Sequence, residues 1–411
     1  MAGMKTCRWL RSLALVWLTP FSQAACEAPE PTHPVSPVSG VAPSPAPSPA
    51  PAPSPVPPAS VKISFTYHEA ASIFEILENT SNWWEGKCDI EYRDDWKKRF
   101  GLTIDDEKRF YAYQDIRKRY YTFDERPDFS EDIFARPKPP DRLAEAFYAA
   151  STLDDAFKTL ATFMTPPDVA TLKAFYETYR SRYELLLAEG RPYVEWASAM
   201  EKKLAGGNVQ AFYREVNAFY GIHDVSTFTA MYVWWPPVEY TRANTHGKFV
   251  ILKYNATKHA TSALEAVDIP VHELMHYLSG QQPEAQRRAL TKSYLAGCNP
   301  LGSVDAERLL EEPLAVAQQK VFAAEAAPER LEFGGSWYGD PWVGALAKMI
   351  YPQVKAAYEH GEPISEKLVH KLSKQCHQLK DVGGIFVKAE QDRLAHSAPA
   401  PHPAPPASPS K

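Results

Sequence analysis

Apolar side chains recur every three to four positions through most of residues 61–225, the period of an amphipathic helix. Between 169 and 189 the stripe is Leu172, Phe175, Tyr176, Tyr179, Tyr183 and Leu186, preceded by the helix-start signal Thr165-Pro166-Pro167-Asp168. The same reasoning predicts helices over 66–79, 89–100, 105–121, 140–163, 191–204 and 209–220, with breaks at Gly190, Gly206-Gly207 and Gly221. The period then changes. Thr227 to Trp235, ended by Pro236-Pro237, and Lys248 to Tyr254, bounded by Gly247 and Asn255, are β-branched and aromatic and read as strands. Helical spacing returns at Val271, Leu274, Met275 and Leu278, with Pro270 in the first turn or at a kink and Gly280 and Pro283 supplying the stop. Upstream, Ser262 and Glu265 have the spacing of a capping box. Pro283 to Leu290 reads as a further helix ended near Gly297, and Asp340-Pro341 starts another running through Tyr358. The fold expected is mainly α (α+β): a helical domain over 61–225, then a half over 226–395 with a small sheet.

The ends of the chain have a different character. Lys5, Arg8 and Arg11 precede a short apolar run from Leu13 to Leu18, and Ala24-Ala25 follow, so 1–25 reads as an export signal whose apolar run is too short to span a bilayer. Residues 27–60 hold 13 Pro among 34 positions, alternating with Ala and Ser. Such a tract builds no core and is expected to be an extended tether over 26–60, reaching roughly 100 Å. Residues 396–411, with six Pro, read as a disordered tail. A formal net charge of −5 argues against a nucleic-acid surface. Of five Cys, Cys88, Cys298 and Cys376 fall in the folded region, which allows one disulfide and one spare thiol with the pairing open. Dense aromatics, among them Trp83, Trp84, Trp96, Tyr111, Tyr113, Tyr120 and Tyr121, are expected mainly as core packing; the alternative is a glycan- or peptide-facing groove.

The chemistry concentrates in His272-Glu273-Leu274-Met275-His276. Positions four apart share a helix face, so both imidazoles reach one ion and Glu273 stands beside them to take a proton from water. A catalytic tetrahedral zinc needs three protein ligands and one open position. Downstream stands Glu311-Glu312-Pro313-Leu314-Ala315, and no His-x-x-Gly-x-x-His continuation follows His276.

With these segments the chain resembles the gluzincin branch of zinc metallopeptidases, in which a second helix carries a Glu ligand, often in a Glu-Gly-Leu-Ala sequence. The resemblance implies that Zn²⁺ is held by His272, His276 and Glu312, with Glu273 as general base and a peptide or protein as substrate. Pro313 stands where the family has Gly, which keeps Glu311 as the alternative ligand. It also implies an edge strand before the active helix, the role expected for 248–254, and an oxyanion-stabilising residue beyond the third ligand. Tyr338 is the first candidate for that residue, with Tyr351 and His370 behind it. Cys26 after Ala24-Ala25 resembles the lipobox of bacterial lipoproteins, with Gln23 where an apolar residue is usual. It implies an acylated Cys26 and a membrane anchor on the envelope side; the alternative is ordinary cleavage and a soluble periplasmic or secreted protein. A different class also fits the sequence: a non-catalytic helical envelope lipoprotein with structural or no zinc, in which His246, His259 or His370 closes the site.

Overall fold

The computed structural model describes residues 63–123, 133–134, 139–222, 227–256, 268–298, 309–326 and 335–397, with backbone only at 207, 208, 210 and 384–397. The expected signal, the tether with Cys26, the Ser262–Glu265 box, His259 and positions 398–411 of the expected tail lie outside the described residues. Every described residue belongs to one compact unit, Val56–Lys411.

The architecture is mainly helical with a small four-stranded mixed sheet. The chain opens with β1 (Ile63–Tyr67) and α1 (Glu69–Ser81), then α2 (Ile90–Phe100) and α3 (Ile104–Tyr120). After them come α4 (Arg142–Tyr148), α5 (Leu153–Leu160), α6 (Pro166–Thr178), α7 (Arg180–Glu189), α8 (Pro192–Leu204) and α9 (Gly207–Tyr220). The sheet is completed by β2 (Phe228–Val233), β3 (Arg242–His246) and β4 (Phe249–Lys253). There follow α10 (Asp268–Gln281), α11 (Glu284–Leu295), α12 (Glu311–Ala326), α13 (Pro341–Glu359) and α14 (Glu366–Ser397).

Local chemistry sets many of these boundaries. Thr103 accepts from the Asp106 amide at 3.0 Å while Asp106 accepts from the Thr103 amide at 3.1 Å, a complete capping box for α3. Thr165 caps α6 ahead of two prolines, and Asp340 accepts from the Trp342 and Val343 amides to start α13. Two expected long helices are each divided. Thr152 caps a new helix, α5, inside 140–163, and Tyr179 leaves helical geometry between α6 and α7.

The strand order is β1-β2-β4-β3, parallel except for the antiparallel β3–β4 pair. Two expectations are corrected here. The first concerns the N-terminal region: Ile63–Tyr67 is a strand paired in register with Phe228–Tyr232, so the sheet crosses the expected boundary at 225. The second concerns the edge. β4 lies between β2 and β3 with all five residues buried, and the strands at the two rims are β3 and β1. A strand covered on both faces reads as an unbroken apolar run, which is why β4 was legible. Charged Lys253 at its end is buried against Glu75 at 2.8 Å and Asp89 at 2.6 Å. β3 is half exposed and packs beside α10; α12 packs between α10 and α13.

Candidate metal centre

Helix α10 presents His272 and His276 four residues apart, as the sequence requires, and buries Val271, Leu274, Met275 and Leu278 beneath them. Pro270 is the third residue of the helix, where the missing amide would have had no intrahelical partner. The first turn of α12 comes up against the imidazoles. Pro313 sits at its third position and is accommodated for the same reason, so it does not break this helix.

Three ligand atoms, one each from His272, His276 and Glu312, lie within 4.8 Å of one another. The two Nε2 atoms are 2.9 Å apart. Glu312 reaches His272 Nε2 at 3.4 Å through Oε2 and His276 Nε2 at 3.5 Å through Oε1. Glu311 takes a different place: Oε1 bonds Nδ1 of His276, on the far side of the ring. A carboxylate there binds the Nδ1 edge of the ring and turns its Nε2 edge toward the point of convergence. Glu273 stands beside the group, with Thr245 Oγ1 of β3 donating to its Oε2. The Tyr338 ring stacks on His272, centroids 6.1 Å apart and planes at 24°, with its hydroxyl toward Glu312.

Charge is concentrated. Burial works against a charged His276, but the adjoining Glu311 carboxylate outweighs it and raises the imidazole to about 10. Burial opposes ionisation of Glu312 too, yet the His272 ring, the charge on His276 and the Tyr338 hydroxyl pull it down to about 2. Burial and then the Glu312 carboxylate raise the Tyr338 phenol. Glu312 Oε2 is buried and meets no donor in hydrogen-bond geometry. Two imidazoles and a carboxylate with an unsatisfied buried oxygen suit a divalent cation of zinc type. The donor set fits the ion that the motif implies.

The other expected residues fall elsewhere. Tyr351 packs on Trp337 in the interior of α13, and His370 of α14 faces Gly297. His246 lies against Tyr148. Among the described residues, therefore, the metal-type group consists of His272, His276 and Glu312 alone. Thr245 was missed because a polar strand, Arg-Ala-Asn-Thr-His, carries no hydrophobic alternation to announce it. Comparison with family models, with curated proteins and with solved structures found no match for this chain.

Proposed function

We propose that this chain is a zinc-dependent metallopeptidase of the bacterial cell envelope, exported and anchored by lipid at Cys26. The observation that carries the reading is the convergence of His272, His276 and Glu312 with Glu273 fixed alongside by Thr245. His272, His276 and Glu312 would hold the ion, which supplies Lewis acidity to polarise a carbonyl and acidify a water molecule. Glu273 takes the proton from water as its oxygen attacks the scissile carbonyl carbon, then delivers that proton to the departing amine nitrogen. The Tyr338 hydroxyl is the donor for the developing oxyanion. A peptide reaches these groups by pairing along β3, an outer strand of the described sheet, whose Thr245 already touches the base. Among the described residues no helix is long and apolar enough to cross a membrane, so the anchor in this proposal rests on Cys26.

The deciding experiment is metal analysis together with hydrolysis of an unbiased peptide library. Glu273→Gln is expected to keep the parent's zinc stoichiometry and lose about 10²–10⁴-fold in turnover. Turnover at the parent rate would refute the mechanism, and a parent protein without zinc would refute the assignment. Detergent partitioning that Cys26→Ser leaves unchanged would refute the anchor.

A further inference from the structure

Away from the metal centre, a cleft of about 670 Å³ lies at the C-terminal end of α1, within the size range of small-molecule sites. One wall is a single stripe of α3: Glu107, Tyr111, Gln114 and Lys118 follow one another at four, three and four residues, so all four share a helix face. The adjoining stripe, with Phe110, Tyr113 and Arg117, is buried in the core. The other wall is aromatic. Trp83, Trp84 and Phe123 line it, and Tyr121 packs edge to face against all three from outside the lining, the ring centroids 4.9–5.5 Å apart. Tyr111 is 62% exposed and Phe123 45%, among the few large apolar side chains left to solvent.

This wall is rigid. The Arg117 guanidinium sits 4.4 Å from the Trp83 ring centroid and is itself held by Glu78 and Asp141. Gln114 donates to the Ser81 carbonyl and Arg93 to that of Thr80, fixing α3 and α2 to the last turn of α1. Arg93 also pairs with Glu107 at 2.6 Å.

We infer that this cleft is a saccharide-binding site. Its charged lining is balanced, Glu85 and Glu107 against Arg93 and Lys118, so it offers no net field for an anion or a cation. Its partly exposed rings leave apolar surface to be covered, while the Glu85 carboxylate and the Lys118 ammonium at its rim can bond hydroxyls or amides. A sugar ring, apolar on its faces and polar around its edge, meets both demands. The site is independent of the metal centre and stands or falls apart from it.

Titration calorimetry of the full chain with N-acetylglucosamine tetramer and with glucose tetramer tests this. At least one is expected to bind. Trp84→Ala should weaken it about tenfold and Tyr111→Ser several-fold, while Trp84→Phe, which keeps a ring, retains most of the affinity. These side chains are partly or largely exposed, so unchanged unfolding midpoints would confirm intact variants. Absence of binding by either saccharide would overturn the assignment, as would binding indifferent to Trp84→Ala. Trp84-dependent binding of unglycosylated peptides in their place would make the cleft a peptide site.

Discussion

At the residue scale the adjacent acids Glu311 and Glu312 part company. A helix turns about 100° between neighbours, so two consecutive side chains cannot approach one ion along the same path. Glu312 points at both Nε2 atoms, whereas Glu311 bonds the opposite nitrogen of His276. The first is placed as a ligand and the second as the group that orients one. Their variants should differ accordingly. Glu312→Ala is expected to abolish stoichiometric zinc, while Glu311→Gln, which keeps an acceptor for Nδ1 but loses its charge, weakens zinc by about 10–100-fold. Competition with a calibrated chelator measures both. A reversed ranking would make Glu311 the ligand. The sequence alone does not decide between them, because both follow the same apolar pair, Leu309-Leu310, and differ only in the direction each side chain takes from the helix.

At the scale of elements, α1 ties the helical region to the sheet through charge. Its Glu75 receives buried Lys253 from β4, and its Glu78 receives buried Arg117 from α3, which also pairs with Asp141 at 2.7 Å. Removing one member of such a group leaves the others buried and unpaired. Arg117→Met is therefore expected to destabilise the protein by about 3–5 kcal/mol, read from denaturant unfolding. A change below about 1 kcal/mol would mean that the guanidinium is dispensable. The same packing explains which elements were legible. Helices with one apolar stripe and a Thr or Asp cap, such as α3, α6 and α13, stand where their patterns put them. So do β2 and β4, whose apolar runs reflect burial on both faces. β1 was hidden because its five residues run straight into α1 with only His68 between, and β3 because an edge strand is polar by design. The imidazole pair and Glu273 were visible as a local spacing, but the Thr245 contact depends on tertiary placement 28 residues away.

At the scale of the whole molecule, two cross-links overlap around the proposed centre. The Cys298–Cys376 disulfide joins the end of α11 to α14 across 78 residues, a span that includes the whole of α12 and α13. An ion would join α10 to the start of α12, from outside that span to inside it. Cys88 is not in the disulfide, and burial and the nearby Glu78 push its thiol up to about 12, so it stays a poor nucleophile at neutral pH. Among the described residues, reduction therefore reports on a single bond. Closing a loop of this length restricts the unfolded chain by about 4 kcal/mol, so Cys298→Ser with Cys376→Ser should lower the unfolding midpoint by on the order of 5–10 °C. Zinc acts through different residues and binds only the assembled site. It is expected to raise the midpoint of the parent and of the double Ser variant alike, by an amount that grows with the logarithm of free zinc. Calorimetric scans across a zinc series separate the cases. Stabilisation confined to the oxidised parent would mean that the disulfide, not the packing of α10 on α12, is what brings Glu312 to the imidazoles.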